Sequence, residues 1–237
     1  MTAMIEMRGV TKRYTRGGET LVVLDRLDLD VAKGDFVSLM GPSGSGKTTI
    51  LNLVGGLDTV DEGDIQVAGV DITRMSRRKL PDWRAEHVGF VFQSFNLVPV
   101  LSAYENVMLP LLLTPLNSAE RKRQAMFALD VVGLTDRASH RPSQLSGGQE
   151  QRVAIARAIA TDPDVILADE PTGDLDRENA NAIMVLMQRL NTELGKTIVM
   201  VTHDHVAAEM SRRILHLDKG LLEREEVMPG APQGQPA

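Results

Sequence analysis

The chain has 237 residues, of which 43% are hydrophobic and 24% are charged, as in a globular domain with one substantial core rather than a disordered protein. It contains no cysteine, which excludes disulfides and thiolate zinc sites. Its net charge of −6 argues against a general nucleic-acid binder, so no nucleic-acid partner is expected.

No stretch of the sequence is long enough to cross a bilayer as a helix. The longest apolar run covers 107–116 and is interrupted by Pro110 and Pro115, whereas a membrane span needs about 20 residues. Residues 1–8 lack the basic and then apolar layout of a secretory signal. Attachment to a membrane is therefore expected to come through a partner protein.

In the first part of the chain the hydrophobic pattern predicts short strands, near 4–10, 21–31, 36–40, 64–68 and 88–92. Helices are predicted around the apolar stretch at 49–54 and over 76–85. From about 102 to 160 the pattern is helical, and it includes a helix over 118–132 with Glu120 in its first turn.

Farther along, apolar strands return at 165–169 and 197–202, and a helix from about 176 to 194 joins them. This order predicts an α/β core interrupted by a helical insertion. The residues at 228–237 are rich in proline and glycine and are predicted to form a disordered tail.

A glycine-rich loop follows the strand at 36–40 and matches the GxxxxGK[ST] pattern of a nucleotide phosphate loop. Its residues are Gly41-Pro42-Ser43-Gly44-Ser45-Gly46-Lys47-Thr48-Thr49. Glycines let backbone N–H groups close around phosphate oxygens, and the helix N-terminus adds its dipole. Lys47 would bring its charge to the β- and γ-phosphates, and the Thr48 hydroxyl would bind Mg²⁺.

The strand at 165–169 ends in two carboxylates, Asp169 and Glu170. Because side chains alternate along a strand, the two can diverge at its end and take different roles. Asp169 is expected to hold Mg²⁺ through its coordination shell, and Glu170 to orient and polarise an attacking water. The phosphate loop upstream and the strand before His203 favour this over a solvated strand end.

A second glycine-rich stretch, Leu145-Ser146-Gly147-Gly148-Gln149, precedes a predicted helix that begins near Gln149. Because a helix N-terminus binds anions, this stretch would form a second phosphate site. One chain already has a phosphate loop, so a second site that faces outward suggests use in trans by another copy. The alternative interpretation is a glycine-rich helix cap without a ligand.

These motifs and their order resemble the nucleotide-binding subunit of an ATP-binding cassette (ABC) transporter, over roughly residues 4–223. The further family motifs are Leu145–Gln149 as the signature, Gln93 as the Q-loop, Asp174-Leu175-Asp176 as the D-loop and His203 as the switch histidine. The resemblance implies a P-loop NTPase core with a mostly parallel sheet and an N-terminal antiparallel β subdomain. A helical subdomain at about 93–160 would lie within one nucleotide-binding domain over 1–227.

The resemblance also implies roles for single residues. Glu170, His203 and Gln93 are expected to be catalytic, and Tyr14 to stack on the adenine of ATP. Mg²⁺ would be held by Thr48, Gln93 and Asp169, with Asp169 acting through a water.

Two subunits of this family pack head to tail, which implies a homodimer with ATP between its copies. The phosphate loop of one copy would hold the nucleotide. The residues expected to reach it from the other copy are Ser146, Gly147, Gly148, Gln149 and Asp176.

Finer details resemble the macrolide-exporter and lipoprotein-releasing (MacB/LolD) branch, in segments 89–99, 105–107, 140–142, 151–158 and 171–176. Members often have asparagine where this chain has Asp174, and Glu150 is a second variation. The branch implies an ATPase peripheral to the cytoplasmic face of the inner membrane, bound to a MacB/FtsX-like permease. Export or extraction of a lipoprotein, lipid-like, peptide or drug substrate would be its task.

Two other interpretations stay open: an amino-acid-type importer ATPase, and a non-transport ABC ATPase that acts on nucleic acid or ribosomes. The second is disfavoured, since the chain lacks cysteine zinc modules, long heptad repeats and a second cassette.

The family places a groove for a permease's cytoplasmic helix after Gln93. Phe95, Leu97, Val98 and Tyr104 are apolar there, and they are expected either to contact that helix or to pack the insertion against the core.

Overall fold

The computed structural model describes residues 3–228, so 229–237 of the predicted tail lie outside the described residues. The strands in this range are β1 (Ala3–Arg16), β2 (Glu19–Ala32), β3 (Phe36–Met40), β4 (Glu62–Val67), β5 (Val70–Asp71), β6 (Val88–Phe92), β7 (Val165–Asp169), β8 (Thr197–Val201), β9 (Arg213–Asp218) and β10 (Leu221–Val227). The α-helices are α1 (Lys47–Val54), α2 (Leu80–His87), α3 (Ala103–Leu111), α4 (Ser118–Val131), α5 (Gly147–Ile159), α6 (Arg177–Thr192) and α7 (His205–Glu209).

The central sheet has the strand order β10-β9-β3-β8-β7-β6. Every neighbouring pair in it is parallel except β9 and β10. All residues of β3 and β8 are buried, as expected for apolar strands that are covered on both faces. The carboxyl ends of β3, β7 and β8 meet at one edge, where ligands bind in sheets of this kind. The predicted P-loop core is confirmed.

The first strands form a separate antiparallel sheet of order β2-β1-β4-β5. Leu24 and Ile65 from this sheet share one hydrophobic cluster with Leu53 of α1 and Leu167 of β7. This packing fixes the antiparallel sheet against the helix that follows the phosphate loop. The antiparallel subdomain implied by the resemblance is confirmed.

Helices α3, α4 and α5 form the predicted insertion between β6 and β7. Val107, Leu129 and Ile155, one from each helix, are fully buried in a second cluster on the other face of the central sheet. Residues 93–102 contain no helix, so the boundary of a helical subdomain at 93–160 stays a prediction.

Two parts of the element prediction are wrong or incomplete. The helix predicted over 76–85 begins instead at Leu80, because Pro81 lacks an N–H and fits only the first turn. Helix α7 and strands β5, β9 and β10 were not predicted. Strand β10 lies at the sheet edge and is largely exposed, so its sequence lacks the apolar pattern of a buried strand.

Candidate functional site

The phosphate loop connects the carboxyl end of β3 to the N-terminus of α1. Gly41, Gly44 and Gly46 have φ angles of 151°, 82° and 102°, in the left-handed region that favours glycine. At Gly46 a Cβ atom would also lie 2.6 Å from Leu24 Cδ2. All three glycines therefore allow the backbone of the turn, and Gly46 also allows β2 to approach the loop closely.

The start of α1 presents uncapped backbone donors together with a cation. Its N-cap, Gly46, has no side chain to accept a hydrogen bond from the first turn, so these N–H groups can bind an anion. Lys47 Nζ donates to the carbonyls of Gly41 and Pro42, at 2.8 and 2.9 Å. Ser45 Oγ is buried without a hydrogen-bond partner among the described residues. Phosphate oxygens would be stronger acceptors for Lys47 than these carbonyls.

Oxygen atoms suited to a metal lie beside the loop. Thr48 Oγ1 in α1 is 3.4 Å from Asp169 Oδ1 at the end of β7. Burial and the neighbouring charge of Glu170 raise the pKa of Asp169, and a divalent cation would oppose this effect by stabilising the carboxylate. Because Mg²⁺ prefers hydroxyl and carboxylate oxygens, this pair fits the predicted metal site.

Glu170 contacts His203, whereas Asp169 contacts Thr48. Its φ of 48° is rare for a residue other than glycine, and its N–H donates to Val201 O at 2.9 Å, which ties the turn to β8. His203 Nδ1–H donates to Glu170 Oε1 at 3.0 Å. This hydrogen bond and the charge of Glu170 raise the pKa of His203. The two carboxylates therefore have different hydrogen-bond partners.

We expect Glu170→Gln to lower the pKa of His203 toward that of an isolated histidine, because the carboxylate that stabilises the imidazolium is removed. Because the folded-state pKa of His203 is raised, the stabilisation from this pairing is present below the ordinary pKa of histidine. It is lost as the pH rises through the folded-state pKa. NMR titration of the imidazole in wild type and variant measures the change, with the other histidines as references. An unchanged His203 titration would show that the contact is absent in solution.

One cavity of about 540 Å³ collects most of these groups. The predicted residues that line it are Gly41, Ser43, Gly44, Gly46, Lys47, Thr48, Thr49, Asp169, Glu170 and His203. Leu21, Val23 and Val201 line it as well and were not predicted, whereas Pro42 and Ser45 are in the loop but do not line the cavity. The Lys47 ammonium, the uncapped N-terminus of α1 and the carboxylates of Asp169 and Glu170 thus line the same cavity.

Tyr14 lies on β1 directly opposite Leu21 of β2, so the two side chains share one face of the hairpin. Leu21 lines the cavity, while Tyr14 does not. The Tyr14 hydroxyl donates to Asp58 Oδ2 at 2.7 Å, and Lys12 Nζ lies 4.9 Å from the centre of its ring. This hairpin face offers apolar and aromatic surface close to the phosphate loop, which suits a flat base.

Gln93 follows β6 and does not line the cavity. Its Nε2 donates to Asp174 Oδ1 at 2.7 Å, so the Q-loop and D-loop residues touch each other. Nearby, the fully buried Gln151 of α5 donates through Nε2 to Phe92 O at 3.4 Å and to Pro171 O at 2.6 Å. Gln151 thereby links the two segments, a role that sequence does not reveal because its contacts are with distant backbone.

The signature stretch lies outside the cavity and caps α5. Ser146 Oγ accepts from Gln149 N at 3.3 Å, and Gln149 Oε1 accepts from Ser146 N at 3.0 Å. The helix begins at Gly147, slightly before the predicted start. Ser146 and Gly147 are exposed, so the stretch is both a helix cap and an accessible helix terminus.

Gly148 is an exception within the signature, because it is buried. A Cβ atom there would collide with Asn179 Oδ1 of α6. Asp176, the N-cap of α6, holds Asn179: its Oδ1 and Oδ2 accept from the backbone N and from Nδ2, at 2.8 and 2.7 Å. The missing side chain of Gly148 therefore makes room for Asn179 within the same subunit.

The apolar residues after Gln93 divide between core and surface. Leu97 and Tyr104 pack against the helical core, whereas Val98 is exposed. A groove of about 390 Å³ lies nearby, with Phe90, Phe92, Asn96, Leu113 and Arg157 among the residues that line it. Its most exposed apolar side chain is that of Leu113, at 76%.

Known proteins resemble the chain over most of its length. The sequence model of the ABC transporter family matches residues 24–173. The lipoprotein-releasing system ATP-binding protein LolD of Bacteroides thetaiotaomicron is 44% identical over 222 residues, which cover 94% of this chain and 100% of LolD. The macrolide export ATP-binding/permease protein MacB of Rhodopseudomonas palustris is 44% identical over 218 residues, which cover 92% of this chain but only 33% of MacB.

The uncharacterized ABC transporter ATP-binding protein MJ0796 of Methanocaldococcus jannaschii is 47% identical over 231 residues, or 96% of this chain and 98% of that protein. Its solved dimeric structure in a post-hydrolysis state, bound to ADP and Pi, has a TM-score of 0.87 at 45% identity and covers 96% of this chain and 100% of that one. Sequence, fold and the order of motifs agree, and the chain therefore belongs to the ABC transporter family, as an ATPase cassette of the branch that contains LolD and MacB.

Proposed function

We propose that the chain drives a separate permease by closing as a homodimer around two ATP molecules, which are then hydrolysed. The observation that carries this proposal is the division of the motifs in space. The phosphate loop, Asp169, Glu170 and His203 line one cavity, while Ser146 and Gly147 are exposed outside it. An anion-binding terminus apart from its own cavity suits use by a second copy, and the dimeric MJ0796 supports this.

Each copy holds its nucleotide with two surfaces. Lys47 and the N–H groups at the start of α1 bind the phosphates. The hairpin face formed by Tyr14 and Leu21 supports the adenine. In trans, the Ser146 hydroxyl and the N–H groups of Gly147 and Gly148 meet the γ-phosphate, while Gln149 and Asp176 keep the helix ends that face the partner in place.

Thr48, Gln93 and Asp169 are the residues proposed to hold Mg²⁺, with Asp169 acting through a water. When bound, Mg²⁺ neutralises charge on the transferring phosphoryl group. Glu170 orients and polarises the attacking water. His203 holds a proton that Glu170 stabilises, and the imidazole can present its other N–H to the γ-phosphate.

The proposed place of the cassette is the cytoplasmic face of the inner membrane, where a MacB/FtsX-like permease would hold it. Within residues 3–228, no helix combines the length and the hydropathy needed to span a bilayer. The resemblance to the lipoprotein-releasing LolD and the macrolide-exporting MacB supports export or extraction of a lipoprotein, lipid-like, peptide or drug substrate. Co-purification from native membranes, with mass spectrometry of the bound permease, tests this proposal.

We expect Leu113→Asp to weaken permease binding by about tenfold or more, because a docking helix would strip water from the new carboxylate at a cost of about 1–3 kcal/mol. ATP binding should be unaffected, since Leu113 lies in the groove and not in the nucleotide cavity. A pull-down with the solubilised permease measures the loss.

Val227→Asp is the matched control. Val227 is also exposed, at 66%, but it lies on β10, at the opposite edge of the central sheet from β6. Neither change removes buried surface, so both variants should melt like the wild type. Full permease binding by Leu113→Asp, or an equal loss in both variants, would contradict the proposal that the groove lined by Leu113 receives a helix of the permease.

A further inference from the structure

We propose that Asp174 is a positioning residue that holds the side-chain amide of Gln93 in one of its two orientations, with Oε1 left free as a metal ligand. The inference rests on the proposed function, in which Gln93 helps to hold Mg²⁺, and it adds how Gln93 is prepared for that task. The branch that this chain resembles often has asparagine at this position, so the aspartate is a departure that needs its own explanation.

The contact itself determines the direction of the amide. Gln93 Nε2 donates to Asp174 Oδ1 at 2.7 Å. An ionised carboxylate has acceptor oxygens and no donor, so it can bind only the NH₂ end of an amide. Oε1 of Gln93 is therefore directed away from Asp174. A carbonyl oxygen in that position is a ligand that Mg²⁺ accepts, whereas an NH₂ group is not.

The backbone beside Asp174 shapes the space for the amide. A Cβ atom on Gly173 would lie 3.0 Å from Gln93 Nε2 and 3.1 Å from Gln93 Cδ, so the amide packs directly against this glycine. Gly173 N donates in turn to Glu170 O at 3.0 Å. The turn that receives the Gln93 side chain is therefore continuous with the residue proposed as the general base.

The main chains on both sides are held by Gln151. Its buried Nε2 bonds Phe92 O, just before Gln93, and Pro171 O, shortly before Asp174. These two bonds connect the backbone before Gln93 to the backbone before Asp174. An asparagine at position 174 could donate to Oε1 as readily as accept from Nε2, and both amide orientations would then compete.

The test measures the dissociation constant of ATP twice, once in the presence of Mn²⁺ and once in EDTA, which removes the metal. Both measurements use a Glu170→Gln background, in which turnover is suppressed. The ratio of the two dissociation constants reports the contact between metal and protein without requiring activity. Asp174→Ala should reduce this ratio by about tenfold, as is usual for a residue that orients a metal ligand. The affinity in EDTA and the melting temperature should not change, because Asp174 is exposed. Asp174→Asn should have a smaller effect.

A charge-swapped pair separates amide orientation from simple charge. Gln93→Glu alone places two carboxylates in contact and should reduce the ratio, because like charges repel. Adding Asp174→Asn supplies an amide donor to the new carboxylate and should restore most of the loss. If the double variant is not restored, or if Asp174→Asn is as damaging as Asp174→Ala, charge rather than amide orientation is responsible and the proposal is overturned.

Gln93→Ala distinguishes failure of this inference from failure of the proposed function. A reduced ratio in Gln93→Ala, with a wild-type ratio in Asp174→Ala, would overturn the positioning role and leave Gln93 as a metal ligand. A wild-type ratio in Gln93→Ala would remove the metal role of Gln93, and the inference about Asp174 would fail with it.

Discussion

Glu170→Gln is expected to lower ATP turnover by on the order of 10²-fold or more, because a general base is replaced by an amide of the same size. ATP binding should persist, since Lys47, Thr48 and the backbone donors of α1 are unchanged. Glutamine has no more difficulty than glutamate with the φ of 48° at this position. The amide oxygen can still accept from His203, so the local structure should be kept.

Suppressed turnover should also trap the closed dimer with ATP between its copies. ATPase rates together with sedimentation velocity in the presence and absence of ATP measure both effects. Glu223→Gln is the matched control, because Glu223 is exposed on β10 and lies outside the nucleotide cavity. Near-normal turnover in Glu170→Gln would show that another group activates the water.

Ser146→Arg should abolish hydrolysis while the affinity of the monomer for ATP stays within about twofold of the wild type. Ser146 is exposed and lies outside its own nucleotide cavity, so the new side chain would obstruct only the γ-phosphate bound by the other copy. Loss of the N-cap hydroxyl costs about 1 kcal/mol, which is small against the stability of a domain. Equilibrium ATP binding and steady-state hydrolysis measure the two properties separately.

Two further variants serve as references for the ATP binding and the hydrolysis of Ser146→Arg. Lys47→Ala should lose ATP binding, because the cation of the phosphate loop is removed. Ser146→Ala removes the cap without adding bulk, so it should hydrolyse ATP faster than Ser146→Arg. A loss of ATP binding in Ser146→Arg as severe as in Lys47→Ala would make the trans model wrong.

Gly148→Asp is less informative than its place in the signature suggests. A side chain there would collide with Asn179 in its own subunit. The variant would therefore lose activity by disrupting the packing of α5 on α6, whatever the signature does in trans.

Local patterns in the sequence were enough to predict the phosphate loop, the carboxylate pair and most strands. The loop itself requires glycine at 41, 44 and 46, because these residues have positive φ angles. Strands β6 and β7 lie where their apolar runs predicted them, at Val88–Phe92 and Val165–Asp169. A strand that is covered on both faces is a continuous apolar run, so its ends can be recognised in the sequence. The resemblance added the family, which the comparisons confirm.

Only the tertiary structure decided which of these residues touch. Leu21 lines the nucleotide cavity because the β1–β2 hairpin packs beside the loop. Gly148 is buried because Asn179 lies behind it, and Gln93 meets Asp174 across 81 positions of sequence. Such contacts depend on how sheets and helices pack together. The physical reason is that hydrophobic periodicity reports the face that a segment buries, but not the distant segment that covers it.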